Sequence, residues 1–193
     1  MLIGVSGSQG QGKTTVCNNL QDLGFNVVQN KTSRSILSEW GYTLDEVNRY
    51  PPLTAKFQDE VLRRHVEFNA DAASSDKIHF SERTFADIFS YALFVLGPFN
   101  KYDAWLNDYY EKCKAAQAMY TKVIYLSGRT YKPQEDGVRS INIHYTSAVD
   151  TLIYSYIKDF CRHEKGAPER CFTIKTPDHS ERIKQILEII KTP

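Results

Sequence analysis

The sequence predicts a three-layer, doubly wound α/β domain built on a five-stranded parallel sheet. Two observations carry that expectation. Short apolar runs of strand length alternate along the chain with segments of helical periodicity, the pattern of a parallel sheet covered on both faces. The first such run leads directly into a glycine-rich turn, "GVSGSQGQGKTTVCNNL" from Gly4. Right-handed crossovers then place the helices on both sides of the sheet.

The elements follow in order. "LIGVSG" is the first strand. A helix starts near Gly12–Lys13 and runs to about Leu23, with Val16 and Leu20 on one face and Gly24 closing it. "FNVVQ" is the second strand, and Ser33–Trp40 a short helix ending at Gly41. Pro51–Pro52 breaks the chain. From Leu53 to about Ala73, Phe57, Val61, Leu62 and Val66 keep helical spacing. "KIHFS" is the third strand. "TFADIFSYALFVLG" is a helix apolar almost all round, hence buried, and Pro98 stops it. A polar helix covers about Tyr102–Tyr120. "KVIYLSG" is the fourth strand, Tyr145–Cys161 a further helix and "CFTIKT" the fifth strand. The last helix, Ser180–Ile190, takes Ser180 as its N-cap and Ile183, Ile186, Leu187 and Ile190 as its apolar stripe.

Composition narrows the function classes. A chain of 193 residues is long enough for one domain with a substantial core, hiding roughly 70% of its unfolded surface. The formal net charge of +1 leaves no global field that would draw the chain onto nucleic acid or an anionic membrane. Cys17, Cys113, Cys161 and Cys171 form no C-x-x-C pair and have no histidines at zinc-ligand spacing, so they read as reduced thiols. No apolar window reaches the ~18 residues of a membrane span, and no leader precedes the first strand. These features lead to the expectation of a cytoplasmic protein, in the host cytoplasm if it is viral, with no membrane partner.

The glycine-rich turn carries the chemistry. Gly7-x-x-x-x-Gly12-Lys13-Thr14 fits the phosphate-loop pattern, with a strand before it and a helix after it. Gly7, Ser8, Gln9, Gly10, Gln11 and Gly12 can wrap a triphosphate with main-chain N–H groups, and Thr15 continues the helix start. Lys13 brings a full charge to the β and γ oxygens, and the Thr14 hydroxyl is placed to ligate Mg²⁺. The cofactors expected are therefore ATP or GTP with Mg²⁺.

A second constellation lies where the third strand ends, in "HFSERTFADIFSYAL". Ligands of open α/β sheets bind at that edge. Glu82 is placed there to reach magnesium-bound water or to take a proton from an attacking hydroxyl, and Arg83 to hold a phosphate in a bidentate fork. Asp87, one helical turn beyond Arg83, reads either as a substrate contact or as a partner of the helix N-terminus. A third segment, Ser127–Ser140, gathers Arg129, Lys132 and Arg139 around Asp136-Gly137. A basic lid of this kind can meet the charge that phosphoryl transfer spreads over the equatorial oxygens.

"SERTFADIFSYAL" resembles the D/E-R-S/T element of deoxyribonucleoside kinases and the D-R element of thymidylate kinases. The chain as a whole is most similar to the small nicotinamide riboside kinase-like phosphate-loop family, which includes many phage nucleotide kinases. The resemblance implies a P-loop kinase fold, with the Glu82 carboxylate near the phosphoryl acceptor and Arg83 on phosphate. It also implies a lid arginine at Arg139, because Asp136–Arg139 matches the family's "DGVR"-type element. After the second strand, relatives carry E-x-x-R. Here "VVQNKTSRSIL" keeps Arg34 but has Asn30 or Lys31 in the acid position, which implies an acceptor different from, or more anionic than, that of the riboside kinases.

The insert of about Thr32–Asp76 is the expected acceptor region, offering Arg34, Trp40, Tyr42, Arg49, Tyr50, Phe57, Gln58, Arg63 and Arg64. Three functions fit these residues. One is a kinase acting on a free deoxynucleoside or deoxynucleotide. The second is a kinase acting on a base hydroxyl within DNA, such as 5-hydroxymethyldeoxyuridine in thymine hypermodification. The third is a regulatory nucleotide-binding ATPase with no acceptor.

Overall fold

The computed structural model describes residues 1–28, 32–127, 142–162 and 169–192. Strands β1 (Leu2–Ser6), β2 (Asn26–Val28), β3 (His79–Glu82), β4 (Lys122–Leu126) and β5 (Cys171–Ile174) form an all-parallel sheet in the order β2-β3-β1-β4-β5. Every residue of the central β1 and of β4 is buried, as continuous apolar runs in a sheet covered on both faces require. β1 pairs with β3 on one side and β4 on the other, setting Val5 opposite both Glu82 and Ile124.

The sheet divides two cores by strand alternation. Ile3, Val5, Phe80, Ile124 and Leu126 face helices α1 (Lys13–Asp22) and α8 (His179–Lys191), meeting Val16, Leu20 and Ile186. Leu2, Val123 and Tyr125 face the opposite layer. That layer comprises α2 (Thr32–Trp40), α3 (Leu44–Arg49), α4 (Pro51–Ser74), α5 (Phe85–Leu96), α6 (Asp103–Gln117) and α7 (Ile143–Phe160), and contributes Ile36, Val47, Phe57, Phe85, Tyr109 and Val149 to the core. All four cysteines are buried and free.

Three local features differ from the sequence reading. Pro51 and Pro52 do not interrupt the chain but occupy the first turn of α4, where a missing N–H costs nothing and a fixed φ suits the helix. Ahead of them α3 is an additional short helix, started by a capping box in which the Thr43 hydroxyl accepts from the Glu46 N–H and the Thr43 N–H donates to the Glu46 carboxylate. At α8 the N-cap is Asp178 rather than Ser180; its carboxylate accepts from the Glu181 N–H at 2.7 Å. The Gly24 reading holds: at φ 89° it lets its own N–H reach the Gln21 carbonyl and the Phe25 N–H reach that of Leu20.

Gly4 in β1 opens space for two side chains. A Cβ there would lie 2.5 Å from the Thr84 methyl and 3.3 Å from the Tyr120 ring. Gly4→Ala is therefore expected to destabilise the fold by about 1–3 kcal/mol through overpacking, lowering the denaturant midpoint at unchanged slope. A midpoint equal to wild type would contradict it.

Candidate active site

The glycine-rich loop joins β1 to α1. Gly7, Gly10 and Gly12 all have positive φ, and a Cβ on Gly7 would lie 2.6 Å from the Leu126 carbonyl oxygen. No side chain caps the start of α1, which leaves its first amides to an anion. Lys13 is buried and its ammonium donates to the Gly7 and Ser8 carbonyls at 2.6 and 2.8 Å. The Thr14 hydroxyl donates to Glu82 Oε1 at 2.6 Å. That pair sets two hard oxygen ligands side by side. Mg²⁺ takes few protein ligands and fills its remaining positions with phosphate oxygens and water, so the pair fits a magnesium-nucleotide. Among the described residues no cluster of three or more His, Cys, Asp or Glu could hold a metal ion without such help.

Three buried or half-buried groups brace the loop from outside. Asp87 is fully buried; its carboxylate accepts from the Ser6 hydroxyl, the Gly7 N–H, and the Thr84 N–H and hydroxyl. This corrects the substrate-contact reading of Asp87: its oxygens are committed to the loop and to the capping box of α5. Asp150 on α7 accepts from the Ser8 N–H at 3.3 Å and from the Tyr125 hydroxyl at 2.8 Å. Arg182 on α8, fully buried, donates to the Gln11 carbonyl at 2.6 Å and the Thr176 carbonyl at 2.7 Å. Asp150 and Arg182 are absent from the sequence reading, and nothing in their local sequence marks them.

Beside the loop lies a cavity of about 470 Å³. Gln9 and Arg83 bound it on the loop side, the first turn of α2 supplies Thr32, Ser33 and Arg34, and α4 supplies Phe57, Gln58, Val61 and His65. Ile88, Tyr91 and Tyr145 line it from α5 and α7, and Asp45 and Asn48 from α3. The Thr32 hydroxyl is buried and has no hydrogen-bond partner. Of the acceptor residues named from the sequence, Arg34, Phe57 and Gln58 reach the cavity and the others do not. Trp40 packs edge-on against Phe57, Arg49 pairs with Asp45, and Arg63 and Arg64 pair with Glu60, Glu67 and Glu39. Asn30, Lys31, Arg129, Lys132, Asp136 and Arg139 lie outside the described residues.

Arg83 has a φ of 78°, and its guanidinium carbon lies 5.3 Å from the centroid of the Tyr91 ring. A left-handed backbone costs a residue with a Cβ about 1–2 kcal/mol, so its surroundings must hold it there. His65, 1% exposed, has its pKa lowered from 6.5 to about 3, first by burial and then by the Arg83 charge; it is a neutral imidazole.

The chain matches the family described as an AAA domain over residues 2–165. It belongs to that family. The AAA-domain match runs from β1 through α7 and so includes the loop, Glu82–Arg83 and the cavity, while α8 with Arg182 lies beyond it. No curated protein sequence matches the chain. Among solved structures, deoxyadenosine kinase from M. mycoides with bound dATP superposes at TM-score 0.68 with 15% identity, covering 100% of both chains. The same kinase with products dCMP and a flexible dCDP gives 0.64 and 16%, covering 98% of each chain. Shikimate kinase from Acinetobacter baumannii in complex with shikimate gives 0.51 and 16%, over 98% of this chain and 92% of that one. At such identities the likeness establishes the fold, that of the small P-loop kinases. No helix among the described residues of this AAA-domain protein is long and apolar enough to cross a membrane.

His65 generates a pH dependence. The unfolded chain takes up its proton near the ordinary value of 6.5, whereas the folded chain resists to about 3. Between those limits the unfolded state binds more protons, so stability is full above about 6.5 and declines as pH falls, by up to about 1.4 kcal/mol per pH unit for this one group. Denaturation at pH 7 and pH 5 is expected to show a smaller acid loss for His65→Gln than for wild type; equal losses would contradict the assignment.

Proposed function

We propose that the protein is a phosphotransferase that moves the γ-phosphoryl group of a nucleoside triphosphate, ATP or GTP, onto a deoxynucleoside- or deoxynucleotide-type acceptor held in the cavity. The observation that carries this reading is the cavity itself, bounded by Gln9 and Arg83 where the phosphate loop meets the end of β3. A nucleotide switch needs no second cavity at that place. The kinase fold of the solved relatives supports the reading, and one of them holds a deoxynucleoside monophosphate and diphosphate as products.

In this reading the loop amides and the start of α1 hold the triphosphate, and Lys13 leaves its two carbonyl partners to neutralise the β and γ oxygens. Thr14 and Glu82 hold Mg²⁺, which when bound supplies charge neutralisation along the phosphate chain. Arg83 steadies the transferring or accepting phosphate, and Arg34 with the unpartnered Thr32 hydroxyl receives an anionic group on the acceptor. An acceptor oxygen forms a bond to Pγ as the bond from Pγ to the bridging oxygen breaks, releasing the nucleoside diphosphate. If the acceptor is a hydroxyl, its proton passes to a carboxylate, for which Glu82 is the candidate; if it is a monophosphate, its oxygen is already ionised. Two arginines among the lining residues, against the single carboxylate of Asp45, favour the monophosphate. Gln58 is placed to read the amide edge of a base, with Phe57 and Tyr91 offering apolar and aromatic surface beside it. Arg129 and Arg139 are proposed to meet the transferring group from the lid.

The decisive assay is triphosphate consumption coupled to a signal, offering deoxynucleosides, deoxynucleoside monophosphates and duplex DNA containing 5-hydroxymethyluracil in turn. Turnover is expected with a free deoxynucleotide; consumption without any acceptor, or only with the modified duplex, would overturn the proposal. Lys13→Ala is expected to lower kcat by several orders of magnitude with the fold intact by circular dichroism. Gln58→Leu is expected to raise the acceptor KM about tenfold, the worth of one hydrogen bond in a buried site, with the triphosphate KM unchanged. An equal rise in both constants would place Gln58 elsewhere.

A further inference from the structure

Among the described residues Arg83 is the only one besides glycine with φ in the left-handed region, and it falls between the end of β3 and the N-cap Thr84 of α5. Strand alternation carries its side chain to the face opposite Glu82, the layer of α2, α4 and α5 in which the cavity lies. Strained backbone of this kind persists only where the surrounding structure over-determines it. Here the Arg83 N–H donates to the Val5 carbonyl at 2.9 Å. The Arg83 carbonyl accepts from the Tyr120 hydroxyl at 3.2 Å and from the Ser81 hydroxyl at 3.3 Å.

Proton counting makes the cluster self-consistent. The Ser81 and Tyr120 hydroxyls bring two protons to a carbonyl with two lone pairs, and their own oxygens lie 3.3 Å apart. The Tyr120 oxygen then has acceptor capacity left, and His65 Nε2 lies 3.0 Å from it. Tyr120 and Ser81 are fully buried and His65 nearly so. The Tyr120 ring lies over β1, in the room left by Gly4.

We propose that Tyr120, seated by His65 and Ser81, is a positioning residue that clamps the peptide after Arg83 in its left-handed turn and so aims the guanidinium at the Tyr91 wall of the cavity. Tyr120 is not among the cavity-lining residues; it acts through Arg83. The proposal rests on the reading of Arg83 as a phosphate-binding group, for which small displacements are costly in rate.

Three variants test it, Tyr120→Phe, Arg83→Gln and the double variant, assayed with magnesium-ATP and a deoxynucleoside monophosphate. Tyr120→Phe is expected to lower kcat by about tenfold or more, with affinity for a fluorescent ATP analogue within about twofold of wild type. The double variant is expected to be no slower than Arg83→Gln alone, because the hydroxyl has nothing left to position. Multiplying losses in the double variant, or a loss of Tyr120→Phe confined to nucleotide affinity, would overturn the proposal. A crystal structure of Tyr120→Phe gives a readout independent of turnover. Arg83 is expected to leave the left-handed region, and an unchanged φ with the guanidinium still over Tyr91 would overturn the clamp. If wild type turns over no acceptor, the kinase reading fails while the crystal structure still decides the turn. Should Tyr120→Phe not fold, Ser81→Ala removes the other donor to the same carbonyl and is subject to the same outcomes.

Discussion

One buried carboxylate ties the candidate site to the fold. Asp87 joins the last residue of β1, the first amide of the glycine loop and the capping box of α5. A buried polar group is tolerable only when its hydrogen bonds are made, and here the donors come from two different strand ends. The distance between the phosphate loop and the end of β3 is thereby set. Glu82 can meet Thr14, and Arg83 can border the cavity, because that join holds β1 and β3 together where their side chains diverge.

The division of labour among charges follows. Groups that face the cavity or the loop interior, Lys13, Arg34, Arg83 and Glu82, are those a phosphate or a cation can engage. Groups turned the other way, Asp87, Asp150 and Arg182, hold main-chain atoms of the loop region. A preorganised ring of amides needs no rearrangement when charge arrives, and the outward-facing groups are what preorganise it.

The sheet and the nucleotide-binding loop were legible because their signals are local. An apolar run, a glycine spacing and a lysine next to a helix start lie within a few residues of one another. The short helix α3 was equally legible in "TLDEV", with Thr43 and Glu46 three apart, but Pro51–Pro52 drew attention as a break when they mark a helix start. Asp87 was ambiguous for a physical reason: a carboxylate one turn into a helix serves a cap and a ligand equally well on paper, and only burial decides. Asp150 and Arg182 were invisible, since their partners lie 142 and 171 positions away. The same holds for Tyr120, which meets Arg83 across 37 positions, and for the cavity, whose walls come from α2, α3, α4, α5 and α7.

Arg182 reaches the Gln11 carbonyl from a helix that begins after residue 165, where the AAA-domain match ends. The phosphate loop thus leans on a helix outside the matched span. A chain cut after that residue would retain the whole glycine-lysine motif yet lose its buttress, so the shape of the loop is held by α8 as well as by the motif that advertises it.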